Sequence, residues 1–285
     1  MEENQILNNT ILKQITTKVG SITTVQRLDK GLTNTLFVLE NENNKKFIVK
    51  ILSNIQGLLP NRHQEVHLNN LLWQKGLTAE LLLYTNDFFL FSYLTGQNLT
   101  AKMLNKNILE QLNSIVNIIN STNLKSYKFF QRDFLQTARA YIQPLPDDLK
   151  NSQQVSSTLQ LLKETVIYIN KEFPVELALC HNDYNLNNFI LTPLNKLLVI
   201  DFEYAAINDI YFEYAGLNFM LGREIQNFIN IHQKPIDRKK LKQYTVLLDC
   251  LSILWCYLMF VQHQVTPKPN YLAWANKVHA DLFSK

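Results

Sequence analysis

His181-Asn182-Asp183-Tyr184-Asn185-Leu186-Asn187-Asn188 sets a histidine, an aspartate and an asparagine in the spacing H-x-D-x-x-x-x-N, and Ile200-Asp201-Phe202-Glu203 follows an apolar stretch. In phosphoryl transfer, an aspartate so placed accepts the proton of the attacking hydroxyl. The asparagine and a second aspartate hold magnesium ions against the phosphates of ATP. Asp183, Asn188 and Asp201 offer the oxygen donors that a hard cation such as Mg²⁺ requires. Upstream, Phe47-Ile48-Val49-Lys50 reads as an apolar strand ending in lysine, and Glu65 begins a helix where the partner of that lysine would sit. Lys50, held by Glu65, would then face the α- and β-phosphates. Asp and Asn also serve turns, and a lysine at a strand end is commonplace. The specificity lies in the order of the whole set. His181 is expected to orient the loop by hydrogen bonding rather than to transfer protons.

These groups need elements to carry them. Ser21–Leu28, Thr35–Leu39 and Lys46–Leu52 are rich in β-branched and apolar residues, and Lys30-Gly31 and Asn41–Asn44 mark turns between them. A helix is predicted over Arg62–Gln74, stopped by Gly76, then strands over Glu80–Tyr84 and Phe88–Tyr93. The simplest arrangement of the first ninety or so residues is an antiparallel meander. Beyond Gly96 the pattern turns helical: Asn107–Ile119, Ser152–Asn170, Arg238–Gln262 and Tyr271–Phe283. Pro144, Pro146 and Pro174 end or bend their local helices. Ala178–Cys180 and Phe189–Leu191, with Leu197–Ile200, are expected to form a small hairpin-like platform that projects both loops. The division is a β-rich lobe over residues 1–94 and a mostly helical lobe over 95–285, with Leu94–Asn98 as connector.

The chain has 285 residues, 46% hydrophobic and 18% charged, with only seven glycines. Disordered, collagen-like and charge-blocked chains are excluded. A net charge of +4, without a basic stripe, argues against a nucleic-acid partner. Cys180, Cys250 and Cys256 form no C-x-x-C pair, which speaks against a disulfide framework or zinc site and for a reducing compartment. The N-terminus lacks the basic-then-apolar order of a secretory signal, so the expectation is cytoplasmic. The apolar window Tyr244–Val261 carries Asp249 and Ser252 and reads as a buried helix, not a membrane span. The oligomeric state stays open, a homodimer being one option.

With Gly31-Leu32-Thr33-Asn34 before a strand, His181–Asn188 and Ile200-Asp201-Phe202-Glu203-Tyr204, the chain resembles the choline/ethanolamine kinases within the aminoglycoside-phosphotransferase-like kinases, from about residue 20 to the C-terminus. The resemblance implies an α+β, bilobal, protein-kinase-like fold, ATP between the lobes, and phosphorylation of a small cationic alcohol. By that likeness Thr33 and Asn34 lie in the nucleotide loop and Phe91–Leu94 supplies the adenine hinge. Glu203 in place of the glycine of D-F-G, a single loop glycine and no A-P-E segment agree with a small-molecule acceptor. Asn208-Asp209-Ile210-Tyr211-Phe212-Glu213 resembles the family's next stretch, with Glu213 where an aspartate is usual.

A quaternary ammonium is stabilised by aromatic faces and a carboxylate, because it cannot donate hydrogen bonds. Trp255 lies in one C-terminal helix, and Tyr271 and Trp274 share a face of the next. The resemblance implies that aromatics of these helices wall the acceptor site and that Glu203 lies close to it. Aromatics at helical spacing are as often core. Where the family often has a second tryptophan, this chain has Leu258: either the cage is incomplete, or Tyr257 or Tyr204 closes it. Ethanolamine, an aminoglycoside, thiamine or a sugar therefore stay open as acceptors. So does a non-catalytic binding protein, although the intact Lys, Asp, Asn and Asp set argues against it.

Overall fold

Leu7, Ile11 and Ile15 recur at every fourth position, and the chain answers with a helix, α1 (Asn9–Val19), capped by the Asn8 side chain accepting from the Ile11 N–H at 2.9 Å. No element is expected from the sequence before Ser21, so α1 is an addition to that reading. The computed structural model describes residues 7–28, 33–125, 128–232, 235–262 and 270–284. Two units divide the chain. One holds the chain up to Asn54, Glu65–Gln97 and Ile190–Ile200; the other holds Ile55–Gln64, Asn98–Phe189 and the chain from Asp201.

In the first unit β1 (Ile22–Leu28), β2 (Thr35–Asn41) and β3 (Lys46–Ile51) run antiparallel in sequence order. After α2 (Arg62–Gln74) come β4 (Leu81–Tyr84) and β5 (Phe88–Ser92). The sheet order is β1-β2-β3-β5-β4, so it is not the simple meander: β5 enters between β3 and β4. Phe37, Leu39, Phe47, Val49, Phe88 and Leu90 point to one face and bury it against Ile11 and Ile15 of α1. The period-2 alternation of the strands thus meets the apolar stripe of a helix. Gly76 stops the helix as expected, at φ +67°, with its N–H on Trp73 O (2.7 Å) and the Leu77 N–H on Leu72 O (3.0 Å). Gly96, in the expected connector, is needed for space: a Cβ there would lie 2.5 Å from Leu191 O. The turn expected at Lys30-Gly31 lies outside the described residues.

Then follow β6 (Gln97–Asn98), α3 (Lys106–Asn120), α4 (Phe134–Ile142), α5 (Asp147–Lys150) and α6 (Gln153–Glu172). α4 and α6 end just before Pro144 and Pro174, which cannot continue a helix. β7 (Leu177–Cys180) leads into the H-x-D loop, and β8 (Phe189–Leu191) and β9 (Leu197–Val199) leave it as a hairpin. β7 does not join that hairpin, contrary to expectation. Its partner is β10 (Ala206–Asp209), antiparallel, with Cys180 opposite Ala206. The expected platform is therefore two sheets. The β7/β10 register brings the residues after Cys180 beside those before Ala206, which juxtaposes the two loops of interest.

The second unit continues with α7 (Ile210–Leu221), α8 (Ile225–His232), α9 (Arg238–Gln262) and α10 (Tyr271–Phe283). α9 is long and apolar enough to cross a membrane by length and composition. Here it packs against α4, α6, α7 and α10 and buries Leu247, Leu251, Leu254 and Leu258. Near its start Lys240 is 2% exposed and bonds Asp209 Oδ2 (3.0 Å), Glu176 Oε1 (3.2 Å) and Pro174 O (2.7 Å). Asp209 Oδ1 in turn caps α7 by accepting from the Tyr211 N–H (3.0 Å). One buried cation thus joins α9, β10 and the entry to β7. Cys180, Cys250 and Cys256 are free thiols, all buried.

Candidate active site

The loop after β7 is held from below by a single buried carboxylate. Glu213, on the first turn of α7, accepts from the backbone N–H groups of His181 and Asn182 (3.1 Å each), from the Tyr184 hydroxyl (2.9 Å) and from Asn120 Nδ2 (3.4 Å). It is fully buried, and that burial raises its pKa above the ordinary glutamate value, against the opposing charge of His181 and the donated bonds. The longer side chain at this position therefore makes the anchoring bonds itself. His181 is fully buried, packs on Tyr184 and Phe202, and accepts the Asp183 N–H at Nδ1 (3.3 Å). It orients the loop, as the sequence suggested.

Asn182 takes a left-handed backbone (φ +63°), steadied by Nδ2 donating to Tyr204 O (3.0 Å) and Oδ1 accepting from Asn208 Nδ2 (2.8 Å). Asn188 Nδ2 donates both to Asp183 O (3.0 Å) and to Asp183 Oδ2 (2.8 Å). With the amide nitrogen so committed, the amide oxygen of Asn188 is the atom of that side chain that could serve a hard cation. Asp201, at the head of the neighbouring loop, is also left-handed (φ +65°), a conformation that costs energy outside glycine and clusters at functional sites. Among the described residues no group of three His, Cys, Asp or Glu side chains could cage a metal by itself. The donors present are all oxygen, which fits magnesium held by one or two protein groups and completed by substrate phosphates.

Glu203 is 5% exposed and forms an ion pair with Arg62 Nη1 at 3.1 Å. Next to Arg62, Gln64 donates to Ala205 O and accepts from the Phe130 N–H (2.5 Å). The Arg132 guanidinium donates to Tyr204 O (2.8 Å), stands 5.7 Å from the Tyr204 ring centre, and bonds the Tyr141 side chain. Trp255 Nε1 donates to the Tyr204 hydroxyl (3.3 Å). Burial, then the charges of Glu203 and Asp183, push the Tyr204 phenol well up, so it stays protonated. Tyr141 is raised by burial too, partly offset by Arg132.

The aromatic residues singled out from the sequence form one chain of edge-on contacts. Trp255 meets Tyr271 at 5.7 Å between ring centres and Tyr271 meets Trp274 at 5.8 Å. Tyr271 is fully buried and props both tryptophans, whereas Trp274 is exposed. Leu258 is buried, and Tyr257 turns its hydroxyl to Gln154. Tyr204, not Tyr257, adjoins Trp255. Sequence reasoning missed Arg62, Arg132 and Tyr141. Arg62 precedes Glu65 by three positions and so shared the helical pattern, but nothing local pointed to a partner at Glu203.

In the first unit Lys50 Nζ lies 2.7 Å from Glu65 Oε1, both side chains almost wholly buried. β3 places Lys50 opposite Leu36 on β2 and Phe89 on β5. Asn34 is buried, donates to Thr33 Oγ1 (3.1 Å) and accepts from the Ser53 N–H (3.1 Å), which fixes the start of β2. Gly31 and Leu32 of the expected nucleotide loop lie outside the described residues. Phe91, next to last in β5, meets Phe89 edge-on at 6.1 Å between ring centres, and Leu94 follows the strand half-buried.

A Lys–Glu pair between a strand and a helix, an H-x-D-x-x-x-x-N loop fixed to a buried acid, and a D-F loop beside it define an α+β phosphotransferase of the kinase-like fold with an alcohol acceptor. The particular lineage follows from comparison: the sequence profile of choline/ethanolamine kinases matches residues 25–245, and the chain belongs to that family. Protein LicA of Haemophilus influenzae is 28% identical over 238 residues, 76% of this chain and 87% of that protein. The crystal structure of choline kinase LicA from Streptococcus pneumoniae superposes with a TM-score of 0.81 at 20% identity, covering 97% of this chain and 98% of that one. The Plasmodium vivax ethanolamine kinase superposes with a TM-score of 0.68 at 15% identity, covering 98% and 86%.

Proposed function

We propose that the protein transfers the γ-phosphoryl group of ATP to the hydroxyl of choline or a related amino alcohol. One observation carries the reading: Asn188 Nδ2 grips both the main-chain oxygen and the carboxylate of Asp183. Base and metal ligand are thereby fixed to each other within one loop. Asp183 takes the hydroxyl proton as the oxygen attacks phosphorus. Its carboxylate is oriented by Asn188, and its backbone by His181 and Glu213. Magnesium, held by the Asn188 amide oxygen and Asp201, would neutralise charge on the phosphate oxygens. Lys50, kept in place by Glu65, supplies a cation to the nucleotide phosphates, with Thr33, Asn34, Phe91 and Leu94 in the nucleotide-binding set. Tyr204, Trp255 and Trp274, backed by Tyr271, offer ring faces to a cationic head, and Glu203 its countercharge.

The guanidiniums of Arg62 and Arg132 beside Glu203 and Tyr204 favour one second reading within the same chemistry, a less cationic alcohol such as a sugar. ADP release with ATP and Mg²⁺ against choline, ethanolamine, thiamine, an aminoglycoside and a sugar tests both. Asp183→Asn should lower turnover by about 10²–10⁴-fold. Wild-type turnover in that variant would remove Asp183 as base, and turnover confined to a neutral alcohol would remove the cationic acceptor.

A further inference from the structure

A buried carboxylate intended for a substrate cation faces a difficulty when the site is empty. Ionised and uncompensated, it would pay a heavy desolvation cost or take up a proton. Glu203 avoids this, because Arg62 Nη1 reaches its Oε2 at 3.1 Å while the acid side chain is 4% exposed and the arginine side chain 21% exposed. The same carboxylate neighbours the aromatic group. Tyr204 follows it in sequence, receives the Trp255 Nε1–H at 3.3 Å, and carries the Arg132 guanidinium 5.7 Å from its ring centre. The charges of Glu203 and Asp183 are both felt at the Tyr204 phenol. The acid, the ring and the expected base are therefore neighbours that feel one another's charge, and a protein cation already stands on the acid.

We propose that Arg62 is a specificity-determining residue: a built-in cation that occupies Glu203 and that a positively charged acceptor must displace or share. This rests on the amino-alcohol reading above. An arginine so placed weakens the binding of every cationic alcohol relative to a neutral one of the same shape. It weakens a quaternary head most, since such a head cannot compete for Glu203 by donating hydrogen bonds. Arg62 thus sets the affinity for the charge rather than the rate of phosphoryl transfer.

The test compares choline with its neutral carbon isostere, in which a tert-butyl group replaces the trimethylammonium. In Arg62→Met the preference for choline over the isostere in kcat/KM should rise about tenfold, within the range seen for coupled neighbouring charges, through KM and not kcat. Arg62→Lys, which restores the charge, should return the preference toward wild type. If Arg62→Met does not fold, Arg62→Gln drops the charge while keeping hydrogen bonding, and carries the same expectation. A variant that slows both alcohols equally and leaves the preference unchanged would show a merely structural role and overturn the proposal. Titration calorimetry with tetramethylammonium chloride reads the same point without turnover. The uncharged variant must bind this cation more tightly than wild type; equal affinity, or binding by neither, overturns the proposal. Failure of the amino-alcohol reading shows separately, as absence of ADP release with any cationic alcohol.

Discussion

Replacing Glu213 by glutamine removes a charge without changing the shape of the side chain, and the hydrogen-bond geometry sets the size of the effect. Glu213 Oε1 accepts from the His181 N–H, the Tyr184 hydroxyl and Asn120 Nδ2, and Oε2 accepts from the Asn182 N–H. A glutamine can keep its amide oxygen where Oε1 stands, but its NH₂ then faces the Asn182 N–H, donor against donor. Leaving one buried donor unmet costs about 1–3 kcal/mol. Weaker bonds at the other three positions add to this, and relief from burying a charge subtracts. A net loss of about 2 kcal/mol lowers Tm by roughly 4–8 °C for a chain of this size. Asn182 leads directly into Asp183, and a misplacement of about 1 Å costs on the order of 10²-fold in rate. Thermal unfolding and steady-state ADP release are the assays, with kcat expected to fall and the acceptor KM to hold.

The pH dependence has a definite sign. Burial raises the Glu213 pKa, so its protonated form is favoured in the folded state relative to the unfolded chain. Its stabilising contribution is complete below the unfolded glutamate pKa and is lost as pH rises through the folded one. The stability gap between wild type and Glu213→Gln should therefore narrow with rising pH across that window. Unchanged kcat and Tm in the variant, or a gap that widens, would refute the anchoring role.

Two further outcomes concern the helical unit. Lys240→Met strands the buried Asp209 carboxylate and should cost about 3–5 kcal/mol, read as a lower denaturant midpoint at unchanged slope; an unchanged midpoint would show that the ion cluster contributes nothing. Cys250 and Cys256 have thiols pushed up to about 12 by burial, so a thiol reagent should label them only after denaturant is added, and fast labelling of the native protein would contradict their placement. Because their folded pKa values are raised, whatever they add to stability is present below the unfolded thiol pKa and fades as pH climbs toward 12.

The sequence was most informative where chemistry and periodicity were local. The H-x-D-x-x-x-x-N and D-F segments lie on adjoining loops of one unit, and Lys50 and Glu65 meet at 2.7 Å. The bounds of α2, α9 and α10 followed from their apolar spacing and stop signals. α1 went unread because its threonines, isoleucines and valine mimic a strand, although Asn8 and the fourfold spacing of Leu7, Ile11 and Ile15 marked it. β10 was hidden because Asn208 and Asp209 look like turn residues; in the fold they serve Asn182 and Lys240. α7 buries residues on all sides and so shows no amphipathic period. Arg62 and Arg132 find their partners 141 and 72 positions away, separations that no local pattern discloses.

The Lys240 cluster bears on how this protein would respond to saturation mutagenesis. α9 carries Lys240 near its start and Trp255 fifteen residues later, a separation of about 22 Å at the rise of an α-helix. Because Lys240 fixes where α9 begins against β10 and β7, disturbing it shifts the whole rod that holds the tryptophan. Position 240 would then score as intolerantly as Asp183 in a growth-based scan. A map of functional positions drawn from intolerance alone would place a second active site at the wrong end of the helix. Scoring protein abundance alongside growth separates the two, since Lys240 variants should lose the protein and Asp183 variants only its turnover.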